Sequence, residues 1–161
     1  MAQIFAGLEF EQIVRMYSST VFSVCVMRLK NYNDAEDCFQ NTFVNLYTKS
    51  PHIADETHLK SWLIRVAINE CNNYIKKNKH TVPLENRKDM AVDFPHNEND
   101  ISWALMEIPA KYRQVLYLHH AEQYKVEEIA DILDKKPNTI KTMLKRGREK
   151  LKAIYGGDSN E

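Results

Sequence analysis

The chain has 161 residues, a formal net charge of zero, 43% apolar residues and 27% charged residues. This length allows one modest hydrophobic core or two small ones, and the composition excludes a fibre or a wholly disordered chain. No apolar run reaches the roughly 20 residues needed to cross a bilayer, and the N-terminal residues lack the pattern of a signal peptide. We therefore expect a cytoplasmic protein without membrane insertion.

The cysteine and histidine residues predict neither disulfides nor a bound cofactor. Cys25, Cys38 and Cys71 are odd in number and widely spaced, so buried reduced thiols are the expected state. His119 and His120 are adjacent, which should point their rings to different sides of a helix, and the sequence contains no HExxH or CxxC pattern. We expect no metal and no cofactor.

The spacing of apolar residues predicts an all-α protein with two small helical domains joined by a flexible linker. Apolar residues recur mostly at three- and four-residue intervals, and the chain has only four Gly and five Pro. Residues 78–100 lack this periodicity and are rich in proline, Asn and mixed charges, as in a linker. We expect domains over residues 1–77 and 101–156, separated by that linker and followed by a tail over 157–161.

The first domain begins with two predicted helices. Apolar residues from Phe10 to Cys25 form one helical stripe, which predicts a helix over residues 8–30. A second helix is expected to begin with Asn33 or Asp34 as its N-cap. Periodicity alone favours a solvated surface for the polar side of the second helix, since one valine among acids and amides is weak support for a partner. That side consists of Asn33, Asp37, Gln40, Asn41 and Val44.

The third predicted helix is long and also has two sides. Its apolar stripe runs from Leu59 to Tyr74 and includes Trp62, which we expect in the core rather than as a base-stacking platform. Amides and cations along the opposite side suit hydrogen bonds to bases and phosphates, but they also suit water. That side and its flanks carry Lys60, Ser61, Arg65, Asn69, Asn72, Asn73, Lys76 and Lys77.

The second domain carries the strongest signal, a predicted helix-turn-helix. Pro109 opens a helix that ends near "EQY", "VEEIADIL" predicts a short amphipathic helix, and "TIKTMLKRGREKLKAIY" predicts a longer helix closed by Gly156 and Gly157. Asp134 lies in the turn, where such motifs need a positive φ angle, and Asp tolerates that conformation better than most residues. Gly147 falls on the buried side of the longer helix, where backbones can approach.

Positive charge gathers on this longer helix. Residues 135–152 contain eight Lys or Arg and a single acid, Glu149. A basic helix is usually a solvated face, but a basic helix within helix-turn-helix spacing favours a DNA reader. Because the whole chain is neutral, we expect weak DNA binding without a second copy or a larger assembly. The residues expected to face outward are Asn138, Lys141, Thr142, Lys145 and Glu149, with Arg146 beside them. Further along the helix, the cations better placed for the phosphate backbone, or for water, are Arg148, Lys150 and Lys152.

Three stretches resemble bacterial RNA polymerase sigma factors of the extracytoplasmic-function type, within the sigma-70 family. They are "YNDAEDCFQNTFVNLY", "LKSWLIRVAINECNNYIKK" and "IPAKYRQVLYLHHAEQYKVEEIADILDKKPNTIKTMLKRGREKLK". The resemblance implies a specificity subunit that binds core RNA polymerase, directs promoter recognition and DNA melting at transcription initiation, and catalyses nothing itself. An anti-sigma protein is a further candidate partner.

The resemblance also implies roles for the individual surfaces. The polar side of the second helix corresponds to the surface that binds the clamp-helix coiled coil of the polymerase. The loop from Ser50 to His58 and the polar side of the third helix correspond to the part that captures the minus-10 element, and the helix-turn-helix corresponds to the reader of the minus-35 element. The implied polymerase-binding residues are Asp34, Asp37, Gln40, Asn41 and Val44, the implied minus-10 residues are Lys60, Ser61, Arg65, Asn69, Asn72 and Lys76, and the implied minus-35 residues are Asn138, Thr139, Lys141, Thr142, Lys145 and Arg146.

Two other functions are alternatives. A helix-turn-helix regulator whose N-terminal helices dimerise would bind a palindromic operator without being a polymerase subunit. A helical enzyme would use His119, His120 and nearby carboxylates, but no nucleophile and base pair, ligand spacing or phosphate-binding glycine loop supports it.

Overall fold

The computed structural model describes residues 3–78 and 102–156, so the predicted linker beyond residue 78 and the predicted tail lie outside the described residues. Contacts between Cα atoms divide the chain into two compact units, Met1–Ala91 and Val92–Glu161. Nearly all regular structure in the described ranges is helical. The predicted all-α class with two small helical domains is therefore confirmed, while the exact domain boundaries stay a prediction.

The first unit consists of a short β-hairpin followed by three long helices. Each of the three helices contacts the other two, so they form a small bundle. The elements in chain order are β1 (Ile4–Phe5), β2 (Leu8–Glu9), α1 (Phe10–Leu29), α2 (Tyr32–Lys49) and α3 (Glu56–Asn78).

The hairpin replaces the predicted start of the first helix. That helix was expected over residues 8–30, but residues 8 and 9 form β2 and α1 begins at Phe10. Ala6 and Gly7 connect the strands with φ angles of 51° and 82°, and positive φ at both central residues is typical of tight hairpins. Strands of two residues show no periodicity, so apolar spacing could not reveal them.

The second helix also begins earlier than predicted. Asn31, rather than Asn33 or Asp34, is the N-cap of α2, because its Oδ1 accepts a hydrogen bond from the Asp34 N–H at 2.9 Å. The Asp34 side chain is 4% exposed, and its carboxylate accepts a hydrogen bond from the Tyr74 hydroxyl on α3. Asp34 therefore joins two helices instead of facing solvent.

The core of the first unit includes one cysteine from each helix of the bundle. Cys25, Cys38 and Cys71 are all buried free thiols, as predicted. Hydrogen bonding to a neighbouring thiol, together with burial, raises the pKa of Cys38 and of Cys71. The Cys38 and Cys71 thiols therefore stay protonated at neutral pH and are weak nucleophiles.

Over residues 102–156, the second unit consists of three short helices, a π-helical turn and a last helix of 20 residues. The last helix packs against the helices that precede it. The elements in chain order are α4 (Ser102–Leu105), α5 (Ala110–Leu116), a π-helical turn (Tyr117–Ala121), α6 (Val126–Leu133) and α7 (Pro137–Gly156).

Helices α6 and α7 form the predicted helix-turn-helix. Asp134 follows α6 with a φ angle of 53°, as predicted for the turn. The Lys135 N–H donates a hydrogen bond to the Ala130 carbonyl oxygen at 2.9 Å, which closes the end of α6. Ile129 of α6 and Ile140 of α7 are fully buried. Burial of these side chains holds the two helices together.

Gly147 allows α7 to pack closely on α5. A Cβ atom at this position would lie 2.9 Å from Leu116 Cδ1 and 3.2 Å from Tyr112 Cβ. Because real Cβ atoms rarely approach this closely, a side chain here would push the two helices apart. The close approach predicted at Gly147 is confirmed, and α5 is the helix that approaches.

The π-helical turn after α5 contains both adjacent histidines. His119 Nδ1 lies 2.9 Å from the Tyr124 carbonyl oxygen, so this nitrogen is assigned the proton. The rings of His119 and His120 meet edge to face with centroids 4.9 Å apart. The prediction that these rings point to different sides of a helix was wrong, because the two rings contact each other.

Candidate nucleic-acid and protein interfaces

The reading surface of α7 comprises the six residues predicted to contact DNA, and all six are exposed. Behind them, Ile140 and Leu144 are buried and fix the orientation of the helix. Thr142 Oγ1 donates a hydrogen bond to the Asn138 carbonyl oxygen at 3.0 Å, within the same helix. We define this surface as Asn138, Thr139, Lys141, Thr142, Lys145 and Arg146.

The α2 surface is exposed where the sequence predicted a polar side. Asp37, Gln40 and Asn41 are exposed, and Val44 has 55% of its area accessible to solvent. Asp34 does not belong to this surface, because its carboxylate is buried against Tyr74. The implied role of Asp34 in polymerase contact is corrected accordingly. We define the α2 surface as Asp37, Gln40, Asn41 and Val44.

The polar side of α3 is less open than the reading surface of α7. Asn69 and Lys76 are exposed. The other four residues predicted on this side are half-buried, namely Lys60, Ser61, Arg65 and Asn72. Trp62 is half-buried, so it is not fully enclosed in the core as expected. We define the α3 surface as Lys60, Ser61, Arg65, Asn69, Asn72 and Lys76.

Two members of the α3 surface already have hydrogen-bond partners within the protein. Arg28 Nε on α1 donates to Asn72 Oδ1 at 3.1 Å, and Ser61 Oγ donates to the His58 carbonyl oxygen at 3.0 Å. Burial lowers the pKa of Arg28. Because Arg28 lies on a different helix, its contact with Asn72 could not be read from the spacing of either helix alone.

The loop before α3 is held by local hydrogen bonds. Asp55 Oδ1 accepts from the His58 N–H at 2.8 Å, which caps the start of the helix. In return, His58 Nδ1 accepts from the Ala54 N–H at 3.0 Å. Ile53 is buried and anchors the loop to the bundle. These contacts fix the conformation of the loop at the N-terminal end of the α3 surface.

The histidine pair is not part of a metal-binding group in the described parts of the chain. The pKa of His120 is lowered first by burial and then by electrostatic interaction with the neighbouring side chains of His119 and Arg148. Across residues 3–78 and 102–156, no group of three or more His, Cys, Asp or Glu side chains could hold a metal ion.

In the same two ranges, no helix combines the length and apolar character needed to span a membrane.

The two units match two family models in the order of the chain. The model "Sigma-70 region 2" matches residues 13–81, and the model "Sigma-70, region 4" matches residues 99–151. The first match covers the three-helix bundle, and the second covers the helix-turn-helix and the helix that precedes it. Together the two matches define a two-domain transcription factor of the sigma class.

Comparison with individual proteins agrees with these matches. The chain is 31% identical to the RNA polymerase sigma-E factor of Streptomyces avermitilis over 90% of this chain and 84% of that protein. It is 28% identical to the ECF RNA polymerase sigma factor SigM of Bacillus subtilis over 96% of this chain and 99% of that protein. The fold resembles that of the sigma factor RpoE from Bartonella quintana, solved with the anti-sigma factor NepR, with a TM-score of 0.76, 21% identity and coverage of 91% and 96%.

The chain belongs to the extracytoplasmic-function group of the sigma-70 family of RNA polymerase sigma factors. A sigma factor directs promoter-specific initiation of transcription and is not itself an enzyme. The comparisons give no support to the alternative of a dimeric regulator that acts apart from polymerase.

Proposed function

We propose that this sigma factor distributes its contacts over three surfaces. The α2 surface binds the clamp helices of core RNA polymerase, the α3 surface and the loop before it contact the minus-10 element, and the reading surface of α7 contacts the minus-35 element. The protein acts in the cytoplasm as a dissociable subunit. It brings promoter specificity to a polymerase that supplies the catalytic site.

The exposure of the reading surface is the observation that carries this proposal. All six of its residues face solvent on the second helix of a helix-turn-helix, and they combine amide, hydroxyl and cationic side chains. Such side chains can hydrogen-bond to base edges in the major groove and to adjacent phosphates. Lys141 and Thr142 lie near the start of α7, where a recognition helix makes its base contacts.

The proposed polymerase contact rests on the mixed character of the α2 surface. A partner that covers this surface would bury Val44 and would pair with the Asp37 carboxylate. Such burial is favourable in proportion to the apolar area removed from water. With Asp34 excluded, Asp37 is the acid of the implied set that remains exposed.

The proposed minus-10 contact divides the α3 surface into two kinds of residue. Asn69 and Lys76 are exposed and free to approach DNA. Asn72 is held by Arg28, so its Oδ1 already accepts one hydrogen bond. We propose that Asn69 and Lys76 contact the DNA directly, and that Asn72 acts mainly by fixing α3 against α1.

Run-off transcription with purified core polymerase tests the proposed function. The template is a promoter fragment selected from genomic DNA of the source bacterium by the reconstituted holoenzyme. We expect a discrete transcript that requires both the protein and core polymerase, and negligible promoter binding by the protein alone. Absence of a transcript together with tight binding of the free protein to a palindromic site would contradict the proposal.

An anti-sigma protein is proposed as a further partner. The Bartonella quintana neighbour was solved in complex with such a protein, and its structural likeness to this chain, at 21% identity, establishes a shared fold. Co-purification of this sigma factor with an anti-sigma protein, and release of transcription when that protein is removed, are the expected results.

A further inference from the structure

The short β-hairpin is attached to the C-terminal end of α2. Gln3 Nε2 donates hydrogen bonds to the Tyr47 carbonyl oxygen at 3.1 Å and to Ser50 Oγ at 2.9 Å. The ring of Phe10, which directly follows β2, meets the Tyr47 ring edge to face with centroids 5.3 Å apart. The last carbonyl groups of a helix have no partner within that helix, so the bond from Gln3 also closes the end of α2.

The two residues of β1 differ sharply in exposure. Phe5 is 5% exposed, whereas Ile4 is 65% exposed. Successive side chains of a strand point to opposite faces, so Phe5 anchors the hairpin on the bundle and Ile4 is held outward. The pairing of Ile4 with Glu9 on β2 fixes this orientation.

Exposed apolar side chains gather where the hairpin meets α2. Val44 and Tyr47 are each 55% exposed, and their spacing of three residues makes them neighbours on the helix surface. Ile4 directly follows Gln3, which contacts the backbone of Tyr47. Large exposed side chains that lie together in this way are typical of an interaction surface. We define the hairpin patch as Ile4, Val44 and Tyr47.

The hairpin lies outside the part of the chain that the family model covers. The match to the region 2 model begins at residue 13, whereas β2 ends at Glu9. A role for Ile4 therefore has to be argued from the contacts of the hairpin itself.

We propose that the β-hairpin is a further contact surface for core RNA polymerase, in which Ile4 continues the α2 surface beyond Val44 and Tyr47. This inference rests on the proposed polymerase contact of the α2 surface. Val44 belongs to both the α2 surface and the hairpin patch, so the two are continuous. The partner is an apolar part of the polymerase beside the clamp helices. Covering Ile4 removes apolar area from water and so favours the complex.

The contacts of Gln3 and Phe10 also prepare the hairpin for binding. They hold β1 against α2 in the free protein, so ordering of the hairpin costs little conformational entropy when the complex forms. An exposed isoleucine on a fixed strand pair can therefore contribute most of its burial to the affinity.

The size of the hairpin patch favours polymerase over a second copy of this chain as the occupant. A stable interface buries about 800 Å² on each partner, which is more than three partly exposed side chains supply. The patch needs to supply only part of that area when it is the edge of a larger contact that includes Asp37, Gln40 and Asn41. A second copy bound at Val44 would also compete with polymerase for the same side chain.

The first test compares Ile4→Ser with Met16→Ser in the full chain. Met16 is 51% exposed on α1 and lies outside the hairpin patch, so it is a matched control for the loss of an exposed apolar side chain. Binding to purified core polymerase is measured by titration. We expect Ile4→Ser to weaken binding by about 3- to 20-fold, as the burial of a partly exposed isoleucine implies. Met16→Ser should keep the wild-type affinity.

Two further variants and a stability measurement separate contact from folding. Ile4→Val keeps a branched apolar side chain, so its affinity should stay within about 2-fold of the wild type. Thermal unfolding of the serine variants should give midpoints close to that of the wild type, since both side chains are exposed. A photo-crosslinking phenylalanine derivative in place of Ile4 should form an adduct with the polymerase subunit that carries the clamp helices.

Three results would overturn the inference. They are an unchanged affinity of Ile4→Ser, equal losses for Ile4→Ser and Met16→Ser, and a crosslink from position 4 to a second copy of this chain instead of to polymerase. Failure of the proposed function would look different, because Asp37→Lys would then bind core polymerase normally. If the hairpin alone has no contact, Asp37→Lys still weakens binding while Ile4→Ser does not.

Discussion

The two units of this protein present polar side chains in different ways. In the three-helix bundle, polar residues that face a partner lie beside polar residues that hold the helices together, such as Asn72 with Arg28 and Asp34 with Tyr74. In the second unit, the reading surface of α7 is exposed throughout, and the Thr142 hydroxyl donates its hydrogen bond within the helix. Polar character therefore indicates function more directly in the second unit than in the first.

This difference follows from how each unit is packed. Long helices that contact one another along their length bring flanking polar residues into the interface, where these residues need partners. A recognition helix must keep one whole side free for the major groove, so its polar residues cannot serve packing as well. The distinction can be tested with substitutions in each unit.

The largest expected effect is on the core of the bundle. Leu46→Ala removes a fully buried side chain from α2, so we expect the free energy of unfolding to fall by about 2–5 kcal/mol. Val44→Ala, two residues earlier on the exposed side, should change it by less than about 0.5 kcal/mol. Chemical denaturation of both variants measures the difference. Equal losses would contradict the assignment of the two sides of α2.

The next effect concerns the contact between α5 and α7. Gly147→Val places side-chain atoms against Leu116 and the Tyr112 Cβ, so we expect a loss of about 1–3 kcal/mol from overpacking. Ala153→Val on the exposed side of α7 is the matched control and should cost below about 1 kcal/mol from helix propensity. Thermal unfolding of the two variants tests this prediction, and an unchanged midpoint for Gly147→Val would refute it.

A smaller effect is expected at the buried acid of α2. Asp34→Asn keeps the size of the side chain and an oxygen that accepts from the Tyr74 hydroxyl, so the cost should be about 1 kcal/mol. Binding to core polymerase should not change once the variant is folded, because the side chain is buried. If a folded Asp34→Asn protein bound polymerase much more weakly, Asp34 would belong to the polymerase contact surface after all.

Apolar spacing predicted most of the second unit from the sequence. The limits of α6, the positive φ angle at Asp134 and the exposure of the reading surface followed from local patterns that depend on neighbouring residues alone. The approach of Lys111 and Lys150 to the ring of Tyr112 was not predicted, because it requires α5 to be placed against α7. Residues distant in the sequence meet there, and no local pattern encodes their distance.

The first unit was harder to predict for a related physical reason. The hairpin is too short to show alternation, and the N-cap at Asn31 competed with two other good capping residues in the same segment. The burial of Asp34 depends on Tyr74, which lies 40 residues later in the chain. The family resemblance placed Asp34 on the polymerase surface, and only the packing of α2 on α3 corrected it.

Paired affinity measurements on two variants test most directly whether polymerase and promoter DNA bind to separate surfaces. Asp37→Lys should weaken binding to core polymerase while leaving the fold intact. Lys141→Ala should leave that binding unchanged and weaken promoter binding by the assembled holoenzyme by about 1–3 kcal/mol, with relaxed sequence preference if Lys141 reads a base. If Asp37→Lys bound core polymerase normally, or if Lys141→Ala lost core binding to the same extent as promoter binding, the account would be contradicted.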